Sequence, residues 1–75
     1  MKSTQISLKT SEQVKQFVNI VGKYEYDVDI RSGRYVIDAK SIMGIFSLDL
    51  SKPVIVEVYS DKADALLKEI KPFTV

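Results

Sequence analysis

The chemistry open to this chain is bounded first by what it lacks. Its 75 residues contain no histidine and no cysteine. A nucleophile paired with an imidazole base is ruled out, and so are thiolate chemistry, disulfides and most zinc sites. Hydroxyls, carboxylates and tyrosines remain. Ser41 precedes Ile42-Met43-Gly44-Ile45-Phe46, a run with helical spacing. It suits the N-cap position, where its hydroxyl accepts a backbone N–H. A phosphate on that hydroxyl would meet unpaired amides and the positive end of the helix dipole, beside Lys40, so modification is compatible with the fold. Ile42, Ile45 and Phe46 point one way, with Met43 to the side. Ile45 is a core residue, and Met43 is the best docking residue because its side chain is adaptable.

Glu25, Asp27 and Asp29 recur at every second position, ~7 Å apart along a strand. Paired carboxylates serve acid–base or metal chemistry. Here no third ligand type and no cleft accompany them, so they are read as a solvated strand face. No catalytic residue, metal site or cofactor is assigned, and the chain is read as a non-enzyme. Tyr24, Tyr26, Tyr35 and Tyr59 lack interleaved basic residues apart from Arg31 and Arg34. They are core or sheet tyrosines rather than a stacking platform for single-stranded nucleic acid.

Size and charge limit the class further. Residues 1–75 make one small domain that holds one core and no deep cleft. Apolar residues are 45% and charged residues 28%, and the net charge is +1. That balance gives no charge-driven case for a nucleic-acid or membrane partner. No stretch approaches the ~18 apolar residues of a membrane span, and the first residues lead into no signal-peptide core. The expected location is cytoplasmic.

The elements that must position Ser41 follow from periodicity. Ile6 and Leu8 alternate with polar neighbours, which predicts a strand over Thr4 to Leu8. Thr10 with Gln13 predicts a capping box that opens a helix. Its core stripe is Val14, Phe17, Val18 and Val21, and Gly22 is the expected stop. Tyr24 to Ile30 alternates as a half-buried strand. Ser32-Gly33 turns the chain into a return strand, Tyr35 to Ala39. The expected register pairs Ile30 with Tyr35 and Val28 with Ile37, which sets Asp27 opposite Asp38. After the Ser41 helix, Pro53 begins a strand from Val54 to Tyr59. Ser60 or Asp61 is the expected cap of a last helix with Ala63, Leu66, Leu67 and Ile70 as its stripe, ended by Pro72. The order is strand, helix, strand, strand, short helix, strand, helix. It predicts an α+β fold, a four-stranded antiparallel sheet with helices on one face. The oligomeric state stays open, since an exposed edge strand on a small sheet is able to support dimerisation.

From Lys23 to Lys52 the chain resembles the HPr family, the small phosphocarrier proteins of the bacterial sugar phosphotransferase system. The residues that carry the resemblance are Lys23-Tyr24, Asp27-Val28-Asp29-Ile30, the Gly33 turn, Lys40-Ser41-Ile42-Met43-Gly44 and Ser47-Leu48. The element order is the family's as well. The resemblance implies an open-faced sandwich, with Ser41 at the position of the family's regulatory serine. That serine is phosphorylated by an ATP-dependent kinase in Gram-positive bacteria, and the modified protein binds a transcriptional regulator. The family's active histidine, with a nearby arginine, precedes the first helix. Here that loop is shortened, and the nearest positions are Thr10 and Glu12. Thr10 cannot form a labile phosphoimidazole, and Glu12 would repel a phosphate. The chain is thus similar to the catabolite-repression homologue of HPr, which keeps only the serine, although the arginine that helps recognise the phosphoserine is absent too. The expected function is regulatory protein interaction through Ser41, Ile42 and Met43, flanked by Lys40 and Phe46. The expected partner is a kinase or transcriptional regulator of the HPr system. The alternative is an unregulated HPr-fold structural or interaction module in which Ser41 is only a cap.

Overall fold

The structure, a computed structural model, describes residues 1–75. Its elements are β1 (Lys2–Ile6), α1 (Ser11–Gly22), β2 (Val28–Ser32), β3 (Tyr35–Asp38), α2 (Ile42–Phe46), β4 (Val54–Val58) and α3 (Asp64–Ile70), followed by a 3-10 turn over Lys71–Phe73. The strands form one antiparallel sheet in the order β1-β4-β2-β3. This is the expected α+β open-faced sandwich, with the expected element order.

The core lies between one sheet face and the helices. Val54, Val56 and Val58 on β4, Val28 and Ile30 on β2 and Ile6 on β1 are buried. They meet Val14, Phe17 and Val21 of α1, Ile45 of α2, and Leu66 and Ile70 of α3. Phe17 and Phe73 close one end edge to face, with centroids 6.3 Å apart. Each large side chain buried in this way stabilises the fold by about 1.5–3 kcal/mol. Across the open face of the sheet, Arg31 donates from Nε to Glu57 at 3.0 Å, which satisfies a nearly buried carboxylate.

Several boundaries differ from the periodicity reading. β1 starts and ends two residues early, because its partner β4 begins only after Pro53 and Ile6 pairs with Val54. Leu8 leaves the ladder yet is still buried. β2 starts at Val28, opposite Val58 at the end of β4. The alternation at Tyr24 and Tyr26 has another cause. Their rings stack at 5.7 Å, the Tyr24 hydroxyl donates to Glu69 of α3, and the Tyr26 hydroxyl donates to the Lys62 carbonyl at 2.8 Å. β3 ends at Asp38 and β4 at Val58, each one residue short of its expected end.

The hairpin register is shifted by two residues. Ile30 pairs with Ile37, Ser32 with Tyr35 and Asp29, rather than Asp27, with Asp38. A two-residue shift keeps every side chain on its face, so the apolar pattern did not decide between the two registers. The turn decides it. Gly33 has φ +59°, and no other residue has positive φ, which fits a two-residue loop with glycine at its first central position.

Helix ends also depart in detail. Thr10 Oγ1 accepts the Gln13 N–H at 3.1 Å as expected, but Gln13 Oε1 reaches back to the Lys9 N–H at 2.7 Å. That is one residue beyond the usual capping box. Gly22 is the last residue of α1, and Lys23 is its cap in ordinary right-handed geometry. Neither Ser60 nor Asp61 caps α3. The cap position is Ala63, without a side-chain bond, while the Ser60 hydroxyl accepts the Lys62 N–H at 3.0 Å. Burial of Ala63 and the Tyr26–Lys62 bond fix this entry instead.

Candidate regulatory and docking surface

Ser41 is set by the turn that leaves β3. The Asp38 carboxylate accepts the Lys40 N–H at 2.8 Å and the Asp38 carbonyl accepts the Ser41 N–H at 3.0 Å. Ser41 then stands in extended geometry, and its Oγ accepts the Gly44 N–H at 3.2 Å. Its carbonyl takes the Ile45 N–H at 3.0 Å. These bonds satisfy one orphan amide and start the helix. Gly44 allows a close approach: a Cβ there would sit 3.1 Å from Ser41 Oγ and 3.4 Å from Ile37 Cδ1, tight enough to displace the capping hydroxyl slightly. The glycine lets the capping hydroxyl and Ile37 pack against one turn of backbone.

Only five residues make α2, so its placement rests on packing rather than on intrinsic helicity. Ile45 anchors it and is fully buried, while Ile42 packs half-buried against the core. The opposite side is open. Met43 is 77% exposed and Phe46 43%, three residues apart and hence neighbours on the helix surface. The Ser47 hydroxyl donates to the Gly44 carbonyl at 2.6 Å and closes the far end. No acidic side chain lies in the first turn, so nothing in the helix repels an anion at Ser41.

The structure therefore brings Ser41, Met43 and Phe46 to one surface. Ile42 contributes its outer half only. Lys40 is next to Ser41 in sequence, but its ammonium turns away and donates to the Tyr24 carbonyl at 2.8 Å. Thr10 and Glu12 belong to the α1 entry. Thr10 is occupied as the cap and Glu12 is in the first turn. The acidic stripe does not form a ligand cluster. Glu25 and Asp27 precede β2, Asp29 lies on it, and no three acidic side chains converge to hold a metal ion.

Two features of this surface were not anticipated. The role of Gly44 has a visible signal, a glycine three residues after a capping serine. The Lys40–Tyr24 link has none, because a backbone carbonyl sixteen residues earlier carries no sequence mark. Behind it lies a further anchor, where Lys23 Nζ donates to Glu69 at 2.7 Å and the Tyr24 hydroxyl donates to the other carboxylate oxygen. Both hold the Glu69 carboxyl below its ordinary range, Lys23 more strongly, while the carboxylate pushes the Tyr24 phenol up.

Residues 11–74 match the PTS-HPr family model, described as the PTS HPr component phosphorylation site. The chain belongs to the HPr family. Solved structures of HPr proteins share its fold. HPr-C-His from Thermoanaerobacter tengcongensis superposes with a TM-score of 0.81 at 25% identity, covering 96% of this chain and 89% of that one. The phosphocarrier protein HPr from Bacillus anthracis str. Ames gives 0.74 at 25% identity, covering 99% and 94%. The histidine-containing phosphocarrier protein of Mycoplasma gives 0.74 at 17% identity, covering 95% and 86%, a likeness of fold alone. No curated protein matches the chain in sequence. This HPr-family chain thus has the fold of the phosphocarrier protein HPr. No helix in it is long and apolar enough to cross a membrane.

Proposed function

We propose that this HPr-family chain is a regulatory protein-interaction module that works through Ser41, Ile42 and Met43 and does not carry phosphoryl groups on histidine. The observation that carries the reading is the placement of Met43. It is 77% exposed, two residues from the capping Ser41, on a helix whose other face is sealed by Ile45. A large apolar side chain held outward on an anchored helix is the kind of residue a protein partner covers.

Ser41 is the switch of that surface. A kinase transfers the γ-phosphoryl group of ATP to Ser41 Oγ. The bond to the β-phosphate breaks, ADP leaves, and the hydroxyl proton is lost. The product adds charge beside Met43 without burying it, and the helix start already directs an N–H at that oxygen. The partners this reading implies are the kinase and a transcriptional regulator of the HPr system. Against a carrier role stands chemistry alone: no imidazole is present, Thr10 is committed to its cap, and Glu12 stands beside it. The second reading, Ser41 as cap only, is supported by the same Ser41–Gly44 bond.

Intact mass after incubation with ATP and an HPr serine kinase separates the two. Gain of one phosphate, lost in Ser41→Ala, is the expected result. No gain would leave Ser41 a cap and overturn the switch.

A further inference from the structure

The two edges of the sheet differ. β1 is covered by the chain's own end: Thr74 bridges Ile6, the Ser7 N–H donates to the Phe73 carbonyl at 2.8 Å and the Val75 N–H to the Gln5 carbonyl at 3.2 Å. β3 is the other edge and no further strand pairs with it; Ser47, Leu48, Asp49 and Lys52 border only its start, beside Arg34 and Tyr35. Its backbone direction follows from the ladder. The Ala39 N–H bonds the Val28 carbonyl at 2.8 Å, and Ile37 and Tyr35 are opposite Ile30 and Ser32 in the same alternation. Bonded and non-bonded pairs alternate in an antiparallel ladder, so Val36 turns its N–H and C=O and Asp38 its N–H to the open side, the Asp38 C=O already accepting the Ser41 N–H. Tyr35 is 70% and Val36 48% exposed. Neither proline nor lysine blunts this strand.

We infer that β3 pairs antiparallel with β3 of a second copy of this chain, about a two-fold axis at Val36. In that register Val36 faces Val36, Tyr35 faces Ile37, and Arg34 of each copy stands opposite Asp38 of the other. The outer-face order Arg34, Val36, Asp38 is complementary to itself when reversed. A one-residue slip sets unlike faces together, and a slip of two sets Val36 against Asp38 or against Arg34.

The charges that such pairing would match are unmatched within the chain. Asp38 is directly opposite Asp29, a like-charge pair, and Asp27 borders the same open depression. Lys40 lines the same depression, but its ammonium bonds the Tyr24 carbonyl and makes no ion pair with Asp29 or Asp38, and Arg31 pairs with Glu57. None of the four ion pairs of the chain includes Asp29, Asp38 or Arg34. A second copy supplies one guanidinium to each acidic depression. Two four-residue strands bury too little area for a permanent dimer, so the pairing is weak and concentration-dependent. The inference does not rest on Ser41 being modified.

The test uses the full chain, by sedimentation equilibrium and amide NMR from micromolar to millimolar concentration. The expected result is association with concentration-dependent shifts at Val36 and Asp38. Arg34→Glu and Asp38→Lys should each weaken self-association at least about tenfold, since each makes both end pairs repulsive. An equimolar mixture of the two variants should restore it, because every end pair is then of opposite charge. Arg34→Glu breaks no bond within the chain, so its loss of association is required even where Asp38→Lys folds poorly. A monomer throughout, shifts confined to Gln5–Ser7 or to Met43, or association insensitive to Arg34→Glu would overturn the inference.

Discussion

The ammonium of Lys40 donates to the backbone carbonyl of Tyr24 at 2.8 Å, tying the entry of α2 to the segment between α1 and β2. That segment precedes β2 and is held by the Tyr24 and Tyr26 hydroxyls and by the Asp27 carbonyl, which accepts the Tyr59 N–H at 2.9 Å. Lys40→Met keeps most of the stem and removes the donor. It should lower stability by about 1 kcal/mol, the value of a partly exposed charge-assisted bond. Urea unfolding gives the loss, and amide exchange should quicken first at Tyr24 and Ser41, whose N–H groups bond the Val21 and Asp38 carbonyls on either side of the link. Unchanged exchange there would mean that the bond holds nothing in place.

The Ser41 cap has its own signature. Ser41→Ala strands the Gly44 amide and should cost about 1 kcal/mol. Ser41→Asp should stay within about 0.5 kcal/mol of the parent, because a carboxylate accepts the same amide and suits the positive helix end. Thermal or urea unfolding of the pair checks this. Equal losses in both variants would show that the hydroxyl does more than accept that bond.

Met43 and Ile45 are two residues apart on α2 and should behave oppositely. Ile45→Ala removes a fully buried side chain and should cost about 2–5 kcal/mol. Met43→Glu changes an exposed side chain and should move stability by less than about 0.5 kcal/mol. The second variant is thus the one to use against a protein partner, where binding should fall with the fold intact. A loss of several kcal/mol in Met43→Glu would make Met43 a packing residue.

Much of this was legible in the residues, for physical reasons that also mark the limits. The α1 stripe, the Ser41 cap and the buried face of β4 each come from a local period imposed by one element on one core. Tyr24 and Tyr26 imitate that period, but their partners, Glu69 and Lys62, belong to a distant segment. The hairpin register turned on Gly33 backbone geometry, since both registers satisfy the same faces. Of the surface residues, Met43 was readable as the outward one because Ile42 and Ile45 define the other side, whereas Phe46, read with them from its spacing, lies on the open side with Met43. The direction of the Lys40 ammonium was not readable, because a long flexible side chain takes whichever acceptor the tertiary fold brings near.

Acid should loosen the anchor between Lys23, at the end of α1, and Glu69 of α3. Glu69 has its pKa lowered from 4.5 by the Lys23 ammonium and then by the Tyr24 hydroxyl. A carboxyl with a depressed folded pKa contributes its stability fully above the unfolded value and loses it as pH falls through the folded one. The contribution is therefore complete at neutral pH and disappears below the ordinary glutamate range. Glu69→Gln should be less stable than the parent at neutral pH, and the gap should close on acidification. The Lys23–Glu69 pair is partly exposed, so salt should narrow the neutral-pH gap as well. Urea unfolding of both chains from neutral to acid pH measures it. A gap that stays constant with pH would mean that the Glu69 charge is not what Lys23 and Tyr24 hold.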